Sequence, residues 1–241
     1  MKVVPYPDHW MSHKPMPEMK GKCLGIFAHC FVENGAQETI RDVYRTIVDV
    51  AIEEKTCTVL SGSQSLVMPN HNLLYEEWTD YDEFFEVQMA RTYRKGFLRW
   101  LDPIRNGPVS PEFTEMFHSS GKHPFNVAHH AYTLVQSVHI APGREEDARQ
   151  LFIRHVDDVG QDSKNVLANI HQSLNNPQHF LLYEIWSDFS HLVENELISE
   201  RRDELQVRFN ALKDNALPEP AMEIFQIYYD PDKYVPPDQF F

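Results

Sequence analysis

Short alternating runs of β-branched and aromatic residues recur along the chain, separated by longer stretches with helical spacing. Cys23 to Val32 (CLGIFAHCFV) and Ala131 to Ile140 (AYTLVQSVHI) read as strands. Gly35 and Gly143 mark turns. Beyond Gly35, Ile40, Val43, Tyr44 and Ile47 fall at three- and four-residue steps, the period of a helix buried along one face. Two further strands in each half meet around MPNH and NPQH, where Pro and Asn suit turns and not ladders. Asp80 and Asp188 follow directly on Trp-bearing strands and occupy helix N-cap positions. The helices they open carry Phe84, Phe85, Met89, Phe97, Leu98 and Leu101 in one case. In the other they carry Leu192, Val193, Leu197, Leu205 and Phe209. A last strand, Glu112 to Phe117 or Ala221 to Tyr229, ends each series.

The two series are copies. A shift of 108 residues, the step from Leu73 to Leu181, lays LLYEEWTD on LLYEIWSD and Trp78 on Trp186. In the same register Gly35, Glu38 and Arg41 fall on Gly143, Glu146 and Arg149. Gln64, Pro69 and His71 fall on Gln172, Pro177 and His179, and Arg94, Glu115 and Phe117 on Arg202, Glu223 and Phe225. One register held over that distance is an internal duplication. Each copy reads β-α-β-β-α-β, a ferredoxin-like α+β unit. A sheet with helices on one face leaves its other face needing cover. Two such sheets, face to face, supply that cover and remove most exposed edge. The expected fold is therefore two fused repeats packed as an intramolecular dimeric α/β barrel. The expected organisation is an N-terminal arm (1–21), a first repeat (22–118), a linker (119–129), a second repeat (130–229) and a tail (230–241). Arm and tail are Pro-rich and aromatic and read as packing or interface pieces, with a pocket lid as the alternative.

Composition narrows the classes. Hydrophobic residues at 42%, with 12% aromatics, support real cores. A formal charge of −14 repels phosphate backbones and anionic membranes, so neither nucleic acid nor membrane is an expected partner. No apolar run approaches the ~20 residues that span a bilayer, and the N-terminus lacks the apolar core of a secretion signal. The three cysteines cannot all pair, and Cys23 and Cys30 point to opposite faces of one strand. Free thiols in a cytoplasmic setting are expected. His118, His123, His129 and His130 crowd the linker without zinc-like spacing, so no metal site is expected.

The order of strand, Gly turn, helix, then "LYE-W-D" and a further helix resembles the antibiotic-biosynthesis-monooxygenase superfamily over nearly all of both repeats. The resemblance implies a cavity between sheet and helices, lined by the strand-three Trp, here Trp78 and Trp186. It implies one of several activities: cofactor-free quinol oxidation, haem degradation or small-molecule binding without catalysis. Haem-degrading members carry an Asn and a His where this chain has Ala28 and Gln88 in copy one, and Gln136 and Glu196 in copy two. Haem ligation of the family's kind thus lacks its usual histidine.

Alternation puts Leu24, Ile26, Ala28 and Cys30 on one face of the first strand, matched by Tyr132, Leu134, Gln136 and Val138. On the resemblance this is the cavity face. Gln136 is then either a ligand-orienting group in an apolar wall or a buried amide satisfied by backbone. Copy one, with Ala28, is expected to be filled or purely apolar, which favours copy two. Trp78 and Trp186 share a strand face with Glu76 and Glu184. A Trp beside a carboxylate could hold and deprotonate an aromatic alcohol; the alternative is a structural ion pair of Glu76 with Arg94 and of Glu184 with Arg202. Gln64 and Gln172 recur in one place, which suggests a shared structural duty bonding the first strand or helix. His71 and His179 are expected to be solvent-facing turn residues, and His29 and His139 to point away from the cavity. The candidate catalytic residues are Trp186, Gln136 and Glu184, and the candidate substrate-binding residues Tyr132, Gln172, Trp78 and Glu76. The expected function is a cofactor-independent monooxygenase oxidising a phenolic, quinol or polycyclic aromatic molecule with O2, needing no cofactor, with association of fused barrels into homo-oligomers open. A non-catalytic small-molecule-binding or stress-related protein, and a haem-binding or haem-degrading protein, are the alternatives.

Overall fold

The computed structural model describes residues 16–121, 131–217 and 221–228. Most of the arm, the linker and the tail lie outside the described residues, as do His123, His129 and His130. The first repeat comprises β1 (Cys23–Phe31), α1 (Gln37–Ala51), β2 (Cys57–Ser65), β3 (His71–Trp78), α2 (Tyr81–Glu86), α3 (Thr92–Leu101) and β4 (Ser110–Ser119). The second comprises β5 (Tyr132–His139), α4 (Glu145–Gly160), β6 (Asn165–Ser173), β7 (His179–Trp186), α5 (Phe189–His191), α6 (Glu200–Asn210) and β8 (Ala221–Ile227). The β-α-β-β-α-β order thus occurs twice. The strands hydrogen-bond in the order β1-β3-β2-β8-β5-β7-β6-β4, a closed antiparallel barrel. No helix among the described residues is long and apolar enough to cross a membrane.

Local chemistry explains the element ends. Gly35 and Gly143 have φ of 91° and 81°, a left-handed backbone that L side chains resist. The Asp80 carboxylate accepts from the Glu83 N–H at 3.0 Å, and Asp188 from the His191 N–H at 3.0 Å. Both expected N-caps are in place. The post-Trp helix is broken in each repeat, by a 3-10 turn at Gln88–Ala90 and by a π turn at Leu192–Glu196. These breaks bury Gln88 and Glu196.

Described residues up to Phe113, with Ile227 and Tyr228, form one compact unit; those from Thr114 to Gln226 form the other. In the first unit β3 is central, pairing β1 (Leu24 opposite Trp78, Phe31 opposite His71) and β2. Its α1 buries Ile40, Val43, Tyr44, Ile47 and Ala51, one helical stripe. Tyr44 lies directly on Gly62 of β2, where an added Cβ would come within 2.6 Å of the ring. In the second unit β5 pairs β7 and β8, while β6 pairs β7 and β4. From Thr114 onward, β4 therefore lies on the sheet of the second repeat and covers the edge of β6, with Glu115 opposite Gln172. Phe152, Val156, Phe180, Leu182, Trp186 and Phe209 build the second core, each burial contributing roughly 1.5–3 kcal/mol before entropy is counted.

The two recurring glutamines perform one task. Arg41 Nη2 donates to Gln64 Oε1 at 2.6 Å, and Gln64 Nε2 donates to the Pro69 carbonyl. Arg149 Nε donates to Gln172 Oε1 at 3.0 Å, and Gln172 Nε2 to the Pro177 carbonyl at 2.5 Å. Each amide ties the first helix of its repeat to the hairpin turn. The histidines at positions 71 and 179 correct the expectation of solvent-facing turn residues. Each begins a strand and meets an aromatic ring directly across the sheet. His71 is 5% exposed, stacks on Phe31 with centroids 4.4 Å apart, and lies 2.9 Å from His29 Nδ1. His179 is half-buried, stacks on His139 at 4.3 Å, and lies 2.7 Å from Ser137 Oγ.

Candidate functional site

In each repeat the Trp-bearing strand aligns a carboxylate with an arginine from the following helix. The two-residue step from Glu76 to Trp78 keeps both side chains on one face of β3, and Trp78 Nε1 donates to Glu76 Oε2 at 2.9 Å. Arg94 of α3 donates to the same carboxylate through Nη1 (3.1 Å) and Nη2 (2.5 Å). Its guanidinium carbon lies 5.2 Å from the Trp78 ring centroid and 4.9 Å from that of Phe84, within cation–π range. Trp186 Nε1 likewise donates to Glu184 Oε2 at 2.9 Å, and Arg202 Nη2 to the same oxygen at 2.5 Å. Both ion pairs weighed from sequence are present.

The surroundings of the two pairs differ. Glu184 also meets His155 Nε2 at 3.2 Å, and Arg202 Nε donates to Glu196 Oε1 at 2.9 Å. Arg201 pairs with Glu196 from the other side. Burial alone would raise the Glu184 carboxyl; the Arg202 charge and the His155 hydrogen bond outweigh it and hold the group at about 2. Burial pushes His155 down, so it is neutral near pH 7. At the matching places the first repeat has Ile47 for His155 and Gln88 for Glu196. Gln88 turns away from the arginine: its Nε2 donates to Glu83 Oε1 at 2.7 Å, and its Oε1 accepts from the Tyr93 hydroxyl at 2.8 Å.

A cavity of about 60 Å³ lies in the first unit between sheet and helices. Ile26 and Ala28 of β1 and Leu74 and Glu76 of β3 form its sheet side. Tyr44, Phe84, Arg94, Phe97 and Leu101 form its helix side. Buried Val109 and half-exposed Met89, Leu98, Pro111 and Phe113 complete the lining. The second repeat has Gln136 where the first has Ala28, and Phe209 where the first has Leu101. At these two positions the first repeat therefore carries the smaller side chain and the second the larger. A dry cavity of about 150 Å³ holds benzene, so an aromatic ring enters this one only if its walls move. Met89, unbranched and half-exposed, is suited to do so.

The residues singled out from sequence separate into groups. Trp78 and Glu76 are joined, and Glu76 lines the cavity, whereas Trp78, expected on its wall, is fully buried and is not among its lining residues. Trp186 and Glu184 are joined within the second core. Tyr132 lies opposite Trp186 and packs on Phe189 with centroids 4.9 Å apart. Gln136 lies opposite Leu182, four residues or about 13 Å along β7 from Trp186. Gln172 lies opposite Phe180, about 20 Å along the strand, and is engaged with Arg149. The tyrosine is thus brought to Trp186, and Gln172 is not. Arg94 was legible from sequence as the ion-pair partner of Glu76, but its place on the cavity wall, the part of Met89 and the contacts of Gln88 and Glu196 emerge only in three dimensions; the sequence signal for the last two is that the repeats differ at 88 and 196. Among the described residues, no group of three or more His, Cys, Asp or Glu side chains could hold a metal ion.

No protein-family model matches the chain, and no curated protein does. Solved structures share its fold. A provisionally assigned monooxygenase of Fusobacterium nucleatum superposes with a TM-score of 0.76 at 11% identity, over 88% of this chain and 94% of that one. An anthrone oxidase-like protein gives 0.62 at 14% identity, over 86% and 91%. A ferredoxin-fold protein of Listeria monocytogenes, related to antibiotic biosynthesis monooxygenases, gives 0.52 at 10% identity, over 87% and 97%. The chain has the fold of the tandem antibiotic-biosynthesis-monooxygenase type.

Proposed function

We propose that the chain is a cofactor-independent monooxygenase acting on a phenolic or hydroquinone-type aromatic, and that the first repeat is its working half. The observation that carries this reading is the first-repeat cavity, an apolar enclosure whose wall holds one buried arginine–carboxylate pair. Apolar walls desolvate and orient a ring, and a cation at the wall favours the ionised form of a ring oxygen. An aryl oxide is electron-rich enough to reduce O2. Addition of both oxygen atoms at a ring carbon that bears hydrogen, followed by loss of water, leaves one oxygen in the product as a carbonyl. The Glu76 carboxylate accepts from Arg94 and Trp78, so its role is to hold the arginine in place. Solved structures with this fold carry names from the same chemistry, monooxygenase and anthrone oxidase-like.

Trp186, Gln136 and Glu184 then have a supporting role in this reading, since a carboxyl held at about 2 is a poor base at neutral pH. A ligand-binding protein without catalysis is the second reading, favoured by the small volume of the cavity. Haem gains no support there, because a space of about 60 Å³ is far too small for the macrocycle and no His or Cys lines its wall. The test is oxygen uptake by metal-stripped protein with hydroquinones and polycyclic phenols. Ala28→Gln, which copies the second repeat, should abolish uptake without loss of folding. Unchanged uptake in that variant would refute the location, and no uptake by the parent chain across the panel would favour the binder.

A further inference from the structure

The two equivalent arginines end in different states. Arg202 gives Nη2 to Glu184 and Nε to Glu196, 2.9 Å away, and among the described residues its Nη1 is the donor left without a partner. Arg94 gives Nη1 and Nη2 to Glu76, while its Nε, on a side chain 6% exposed, has no hydrogen-bond partner among the described residues. The difference traces to one position, where Glu196 reaches its arginine and Gln88 is committed to Glu83 and Tyr93. A buried donor without an acceptor is unfavourable, and this one belongs to a side chain that lines the cavity. The Glu196 oxygen on Arg202 shows how an anionic oxygen is received at this place in the fold.

We propose that the first-repeat cavity takes a flat aromatic ligand through an ionised ring oxygen, an aryl oxide or enolate that accepts from Arg94 Nε, and that Gln88 is the positioning residue that keeps this donor open. The inference rests on the reading of this cavity as the binding site. It divides the labour of the duplicated chain: one repeat receives an external oxygen, and the other carries a built-in one. Arg201, which balances Glu196, has Tyr93 as its first-repeat counterpart, so a faithful transplant of the closed state is the pair Gln88→Glu and Tyr93→Arg.

The experiment is anaerobic titration of the full chain with 4-nitrophenol, read by its phenolate absorbance across pH, beside the neutral analogue 4-nitroanisole. The parent protein should lower the apparent pKa of the bound phenol by about one unit, equivalent to about tenfold tighter binding of the ionised form. The double variant should lose that preference and keep its thermal transition. A double variant that folds normally and retains the preference would overturn the role of Gln88. Should the variant not fold, the parent decides alone: a bound phenol with no lowered pKa, or no phenol bound, overturns the proposal. Because oxygen is excluded, bound phenolate without later oxygen uptake would leave this inference standing and remove only the monooxygenase reading.

Discussion

Replacing each strand-three carboxylate by its amide separates a paired buried charge from an isolated one. Glu76→Gln removes the one carboxylate that pairs with Arg94 among the described residues and leaves a guanidinium that is 6% exposed without its counter-charge. Breaking a buried pair from one side destabilises by about 3–5 kcal/mol. Glu184→Gln does less harm, because Arg202 keeps Glu196 at 2.9 Å; the loss is closer to that of one charged hydrogen bond, about 1.5–3 kcal/mol. The Trp Nε1 bond, 2.9 Å in both repeats, is common to the two variants and cancels in the comparison. Near 2–4 °C per kcal/mol for a chain of this size, Glu76→Gln should lower the melting temperature by roughly 10 °C and Glu184→Gln by about half as much. Urea titration followed by tryptophan fluorescence provides the midpoints, since Trp78 and Trp186 each report on their own carboxylate. Equal losses, or a larger loss for Glu184→Gln, would refute the claim that Glu196 shelters Arg202.

Two further outcomes follow from packing and titration. Burial pushes His171 down to about 3, so the folded state stays unprotonated while the unfolded chain binds a proton below about 6.5. Stability should therefore fall as pH drops from 6.5 toward 3, by at most about 1.4 kcal/mol per pH unit from this group. His171→Ser, which copies Ser63, should flatten that slope in urea midpoints taken at several pH values; an unchanged slope would contradict the assignment. Gly62→Ala sets a methyl group 2.6 Å from the Tyr44 ring and should lower stability by about 1–3 kcal/mol in thermal melts. A neutral result would mean that α1 shifts freely over β2.

The fold was legible in the sequence because repetition and period express it directly. The 108-residue register, the two Asp caps and the alternation of β1 and β5 each have one physical reading, and each matches a described element. Pairing partners are less accessible. Nothing in the composition of β4 says that its outer half will lie on β6, because edge covering depends on where a strand ends in space. His71 looked like a turn residue because it follows Pro69 and Asn70. Its burial comes from Phe31 and His29 across the sheet, which the local pattern does not contain. Ala28 read as the mark of a filled or purely apolar site, and Gln136 as either a ligand-orienting group or a buried amide. Ala28 lines a largely apolar cavity, so the space itself, not its apolar character, was hidden in the sequence. The charge logic at Gln88 and Glu196 depends on a helix break that turns both inward, and periodicity alone does not place such a break.

The most direct test of the central claim is turnover of a hydroquinone by metal-stripped protein under isotopically labelled O2, with product and water both analysed. The account predicts one labelled oxygen atom in the quinone product and the other in water, with no added cofactor and with loss of both in Ala28→Gln. Oxidised product without label, or label incorporated equally by Ala28→Gln, would contradict a monooxygenase site in the first repeat.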